Sequence, residues 1–191
     1  MIDLDPPFRL ATPADAPALA VLVNEAGHGM PHFLWSGWAE ADQDPWEIGR
    51  ARQAAKAAEG RIVVADPGGG VVAQLTGYVA AHDEVTADVP PLFVPLIELE
   101  NRVVGSWYVN VLAAMPEARG MGYGGALLNI AERLARAEGC ARMSVIVADD
   151  NAGARRLYER QGYEETARRA CVTGGWQTAT RAWVLMERVL G

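Results

Sequence analysis

The sequence is sparing with several residue types and patterns, and each scarcity narrows the reading. Only two cysteines occur in 191 residues, Cys140 and Cys171, and they form no Cys-x-x-Cys pair. A disulfide framework is therefore not expected, and reduced thiols in a cytoplasmic protein are the simplest reading. No apolar run approaches the roughly 20 residues that a membrane helix needs. The first residues, MIDLDPPFRL, carry no basic stretch followed by an apolar one, so no export signal is expected. Basic residues are outnumbered, 17 against 24 acidic, for a net charge of −7. That balance argues against nucleic acid as a partner and mildly favours a cationic one. There is no internal repeat and no long linker. With 50% apolar and 21% charged residues, the composition is that of a globular protein, and residues 1–191 are expected to form a single domain with its own core.

What is present reads as alternating strands and helices. FRLATPADAPALAVLVNEAG predicts a short strand, then a helix entered through Thr12-Pro13 and ended at Gly27. GHGMPHFLWSGWAEADQDPW reads as irregular and aromatic, and EIGRARQAAKAAEG as a polar, alanine-rich helix closing at Gly60. RIVVADPGGGVVAQLTGYVAAHDEV places two β-branched runs on either side of Asp-Pro-Gly-Gly-Gly, a hairpin pattern. After a proline-marked, partly helical stretch, VPPLFVPLIELEN, comes a strongly apolar strand, GSWYVNVLAAM. Leu127, Leu128, Ala131, Leu134 and Ala135 then recur at helical spacing up to a C-cap at Gly139. RMSVIVA is a buried strand, and DNAGARRLYERQG a short helix with Asn151 as N-cap and Gly162 as stop. YEETARRACV and TRAWVLMERVL are two last strands. The order predicts a mixed α/β sheet covered by helices.

One stretch, PEARGMGYGGALL, carries chemistry. Four glycines, Gly120, Gly122, Gly124 and Gly125, fall within six residues ahead of the helical pattern. A helix N-terminus exposes unpaired N–H groups and a partial positive charge, which suits a phosphate. Glycines there let an anion approach the backbone without interference from Cβ atoms. Two motifs fit the letters. Gly120, Gly122 and Gly125 satisfy G-x-G-x-x-G, with Asp149 ending the next strand. Against a dinucleotide site, Pro116 to Arg119 intervene between strand and glycines, and too little chain remains for a doubly wound sheet. Arg119, Gly122 and Gly124 satisfy the second motif, R-x-x-G-x-G. About 25 residues further on, at the end of the next strand, comes NAGARRLYERQGY.

This pair of segments resembles the GCN5-related N-acetyltransferase (GNAT) superfamily. Arg119-Gly120-Met121-Gly122-Tyr123-Gly124 matches its acetyl-CoA loop, [R/Q]-x-x-G-x-[G/A]. Asn151, Ala154, Leu157, Tyr158, Gly162 and Tyr163 match its N-x-x-A-x-x-L-Y-x-x-x-G-[F/Y] signature. The likeness covers nearly the whole chain and is strongest from Ser106 to Tyr163. It implies the acyl-CoA N-acyltransferase fold, a mostly antiparallel sheet of six to seven strands flanked by helices, and acetyl-CoA as cofactor. It further implies an N-acetyltransferase in which an amine attacks the thioester directly. The loop through Gly125 would hold the pyrophosphate. Asn151 would meet the pantetheine arm, Ala154 would belong to the cofactor site, and Tyr158 would reach the sulfur as proton donor. Backbone N–H groups of Leu112, Ala113 and Ala114 would hold the acetyl carbonyl. A non-catalytic acyl-CoA-binding or sensing domain of the same fold is the alternative.

The acceptor side is less defined. Tyr108 and Asn110 lie on the strand where the family often places base or substrate contacts. Glu98 and Glu100 are near enough in sequence to act as a base, and Glu100 is the first choice. His28 and His32 are four apart, but Pro31 and the neighbouring glycines argue against a regular helix, so no metal site is expected. In the family the segment after the first helix borders the acceptor, which makes His28, His32, Trp35 and Trp38 candidates for its recognition. The partner expected is a small-molecule amine, with a cationic one favoured, and neither nucleic acid nor membrane. Trp176 and Trp183 are placed where a homodimer contact is an option.

Overall fold

The computed structural model describes residues 2–191. In chain order the elements are strand β1 (Phe8–Leu10), helices α1 (Ala16–Ala26), α2 (Met30–Trp38) and α3 (Pro45–Ala58), and strands β2 (Val63–Ala65) and β3 (Ala73–Val79). Helix α4 (Val94–Glu100), strand β4 (Trp107–Ala114), helix α5 (Tyr123–Ala137) and strand β5 (Arg142–Ala148) follow. Helix α6 (Ala152–Arg160) and strands β6 (Glu164–Ala170) and β7 (Ala182–Val189) end the chain. Among the described residues the fold is mixed α/β, with a seven-stranded, mostly antiparallel sheet and helices flanking it. The chain divides into two compact units, Met1–Thr76 with Val111–Leu127, and Gly77–Asn110 with Leu128–Gly191.

In the first unit β1, β2 and β3 are antiparallel neighbours, in register from Phe8↔Ala65 and from Val63↔Leu75. The β2–β3 turn is closed by Asp66, whose Oδ1 accepts from the N–H groups of Gly68 and Gly70 at 3.0 and 3.1 Å. Asp66 also helps fix Arg9, which reaches Asp15 at 2.7 Å and Asp66 at 2.7 Å. The Arg9 hydrogen bond is the main reason the Asp15 carboxyl is pulled down to about 2. Helix α1 turns Leu19 and Leu22 onto Ile62, Val64 and Val71 to make the core of this unit. Asp44 caps α3, accepting from Trp46 N–H at 3.0 Å.

Helix α2 departs from the irregular segment that the glycines and Pro31 predict. Gly29, at φ 84°, is its left-handed N-cap, and Pro31 sits in the first turn, where a missing N–H costs nothing. Residues that break a helix in its interior thus start this one. Trp35 is buried against α3 at Gly49, where any Cβ would collide with the indole ring. Its ring meets Trp46 edge-on at 5.6 Å, and His32 lies 5.0 Å from the same Trp46.

In the second unit β5 runs parallel to β4, in register from Trp107↔Met143 to Val109↔Val145. It pairs antiparallel with β7 along its whole length, from Arg142↔Val189 to Ala148↔Trp183. Strand β6 pairs with β7 through a bulge between Glu165 and Ala167. It is mostly exposed and charged, as suits a strand that must not recruit other chains. Met143, Val145, Val184 and Leu185 are fully or almost fully buried. Trp176 stacks on Trp183 at 6.2 Å with planes 9° apart, both indoles being buried.

Candidate functional site

The glycine turn has the geometry its sequence predicts. Gly120 and Gly122 sit at φ 78° and 91°, and a Cβ at either would meet only open space. Backbone angle, rather than crowding, is therefore what demands glycine there. Helix α5 starts at Tyr123. The Ala126 N–H donates to the Gly122 carbonyl at 3.1 Å. The amides of Tyr123, Gly124 and Gly125 belong to the first turn, which has no helical carbonyl to pair with. Met121 beside them is exposed. Arg119 braces the turn: Nη2 donates to Glu25 Oε2 of α1 at 2.6 Å and Nε to the Ala114 carbonyl at 3.3 Å. These partners fit an arginine that orients the loop.

Along the second half of β4, Leu112, Ala113 and Ala114 are half-buried. Ala113 and Met115 pack on the first unit's core, and Met115 N–H donates to the Val72 carbonyl at 2.8 Å. His28 precedes α2 at φ 54°, so it and His32 do not share one helical turn. Trp35 is a core residue, whereas Trp38 is exposed and lies 4.9 Å beneath the Arg52 guanidinium.

In the second unit Asn151 caps α6, its Oδ1 accepting from Ala154 N–H at 3.1 Å. Seven residues on, Tyr158 lies on the same helical face, about 10 Å along the axis. It is buried, with its ring 5.6 Å from that of Tyr163. Burial pushes its phenol well above the ordinary value, so it stays protonated through the neutral range.

Glu98 and Glu100, two apart on α4, face different ways. Glu98 Oε2 accepts from Arg169 Nε of β6 at 2.6 Å. Glu100 Oε1 accepts from the Tyr78 hydroxyl of β3 at 2.8 Å. The Tyr78 ring meets Tyr108 of β4 edge-on at 5.5 Å. Burial raises the Glu100 carboxyl, the Tyr78 hydrogen bond opposes this, and the charge of Asp83 adds to the rise. Burial first, and then the Glu100 charge, hold the Tyr108 phenol neutral. Asn110, further along β4, is exposed. Sequence reading finds Glu100 and Tyr108 but misses Tyr78, which carries no motif and lies 22 residues from its partner.

A model of the Acetyltransferase (GNAT) family matches residues 28–163. Among solved structures, the ribosomal-protein-alanine N-acetyltransferase from Brucella melitensis is 24% identical with a TM-score of 0.60, over 96% of this chain and 99% of that one. The structure of yncA from Salmonella typhimurium with its cofactor acetyl-CoA is 19% identical with a TM-score of 0.62, over 96% and 93% of the two chains. Ard1 from Thermoplasma volcanium is 16% identical with a TM-score of 0.61, over 96% and 97%. At these identities the structures speak for the fold. The match to the family model spans most of the chain, which belongs to the Acetyltransferase (GNAT) family, users of acetyl-CoA as acyl donor.

Proposed function

We propose that this chain moves the acetyl group of acetyl-CoA onto the primary amine of a small, cationic acceptor, with residues 1–191 working as one catalytic domain. The observation that carries the proposal is the left-handed pair Gly120 and Gly122 directly ahead of α5, in a chain of this family. The backbone of Arg119 to Gly125 takes the pyrophosphate, and Asn151 and Ala154 serve the pantetheine arm. The N–H groups of Leu112 to Ala114 polarise the acetyl carbonyl and stabilise the oxyanion, a contribution of the size that preorganised donors supply.

Glu100 takes one proton from the acceptor ammonium, leaving a neutral amine and a carboxylic acid. The nitrogen lone pair then forms the C–N bond to the acetyl carbon, and the oxyanion collapses with cleavage of the C–S bond. Tyr158 gives its proton to the departing sulfur and regains one from the nitrogen. The products are amide and CoA thiol, and the proton on Glu100 passes to water. Tyr108 and Asn110 of β4 and His28 ahead of α2 are assigned to acceptor contacts. Trp35, being buried, acts on the acceptor through the placement of α2.

The test is a panel of primary amines assayed for CoA release, alongside the shift in melting temperature on adding acetyl-CoA or NAD. Release with an alkylammonium and stabilisation by acetyl-CoA alone are expected. Stabilisation by acetyl-CoA without release from any amine identifies an acyl-CoA sensor instead, and stabilisation by NAD overturns both readings.

A further inference from the structure

The geometry points to Tyr78 as the positioning residue of Glu100: its hydroxyl ties down Oε1 and favours the charged carboxylate, leaving Oε2 to take the acceptor's proton. This inference rests on the proposed role of Glu100 as base and goes on to name what makes that carboxylate fit for the role.

Tyr78 sits on β3 and Glu100 ends α4, and 2.8 Å separates hydroxyl and Oε1. The Tyr78 phenol keeps its proton and can donate it here, since its own ionisation is suppressed by burial and by the charges of Glu100 and Asp83. The ring is held from two sides. Tyr108 meets it edge-on. On the residue before it, Gly77 has no Cβ because the Trp107 indole and the Tyr108 carbonyl fill that space. Tyr78 is thereby carried on a strand held close beside β4 in the sheet, and its hydroxyl has a fixed reach.

The remaining charged and titratable groups around Glu100 decide what the hydrogen bond does. Asp83 faces it from the loop after β3 and disfavours its charge. That loop is pinned, since Asp83 N–H donates to Asn101 Oδ1 at 2.9 Å and Asn101 Nδ2 donates to the Asp83 carbonyl at 2.8 Å. Tyr108 faces it from β4 as a neutral phenol. From β6, Arg169 is engaged by Glu98. Burial and Asp83 therefore both push Glu100 towards its neutral form, and the Tyr78 hydroxyl is the group that opposes them. A hydrogen bond to a charged acceptor is strong enough to move a titration by about one pH unit.

The experiment is a carbon-13 NMR titration of the full chain labelled at glutamate carboxyl carbons, with E100Q assigning the Glu100 signal by its loss. Y78F is expected to raise the Glu100 midpoint by about one pH unit. Y78H, which keeps a ring N–H donor, is expected to hold it nearer the parent value, and serves also if the phenylalanine variant does not fold. A Glu100 midpoint unmoved in folded Y78F overturns the inference. Failure of the base assignment shows separately, as an acid limb of kcat/KM that is the same in E100Q as in the parent.

Discussion

The glycine turn ahead of α5 and the carboxylate on α4 are built by opposite means. The turn is made of backbone. Its angles at Gly120 and Gly122 are what glycine alone adopts readily, and its donors are amides at the start of a helix. The carboxylate site is made of side chains from β3, α4 and β4 that come together only on folding. A backbone site writes its geometry into a few adjacent letters. A side-chain site is specified by burial and by partners that lie far away in sequence.

The largest effect that separates the two regions comes from the carboxylate. Glu100→Gln removes the proposed base without changing side-chain volume, so kcat with an alkylammonium acceptor is expected to fall about 100-fold. Binding of acetyl-CoA, measured by calorimetry, should be unchanged. The pH profile carries the sign. A base must be ionised to work, and Glu100 is raised above the usual carboxylate range, so the parent activity climbs with pH through that raised value. The variant should lack this climb. A loss of acetyl-CoA affinity in E100Q would show that the two regions are not functionally separate.

The same contrast explains what was legible in the sequence. The turn, the α5 pattern, the Asn151 cap and the seven strands follow from local chemistry, and the structure has them where the letters put them. Glu98 and Glu100 could not be ranked by spacing, because two residues apart means one face in a strand but opposite sides in a helix. Only the helical state of α4 sends Glu98 to Arg169 and Glu100 to Tyr78. Helix α2 was hidden for a related reason: Gly29 and Pro31 read as breakers until their positions, N-cap and first turn, are known. Tyr78 looks like any aromatic residue on a strand, and nothing local distinguishes it.

The middle-sized effect belongs to the backbone region. Gly122→Val forces a β-branched residue to φ 91°, at a cost of about 1–2 kcal/mol or a shift of the turn to other angles. The side chain itself meets nothing, so the fold should tolerate it with a loss of a few degrees in melting temperature. Acetyl-CoA affinity is expected to weaken about tenfold, while the pH dependence of turnover at saturating acetyl-CoA stays that of the parent. A variant with unchanged affinity would mean that the amides of this turn are not what the pyrophosphate meets.

The smallest effect tests a place where a side chain joins the backbone site. Arg119 and Glu25 are both substantially exposed, and an exposed pair contributes at most about 1 kcal/mol. Two consequences of Glu25→Gln oppose each other. Loss of the carboxylate loosens the arginine that braces the turn, which weakens binding. It also removes a negative charge from the Arg119 guanidinium beside the turn in sequence, which favours an anionic ligand. The Nε bond to the Ala114 carbonyl does not depend on Glu25, so part of the brace survives and the electrostatic gain should win. Acetyl-CoA is expected to bind about twofold to threefold more tightly in E25Q at low salt, a margin within the range of such pairs. The gain should shrink as salt screens it. Weaker binding at every salt concentration would instead identify the brace as the larger contribution of this pair, and would place one side-chain contact among the determinants of a turn otherwise set by glycine.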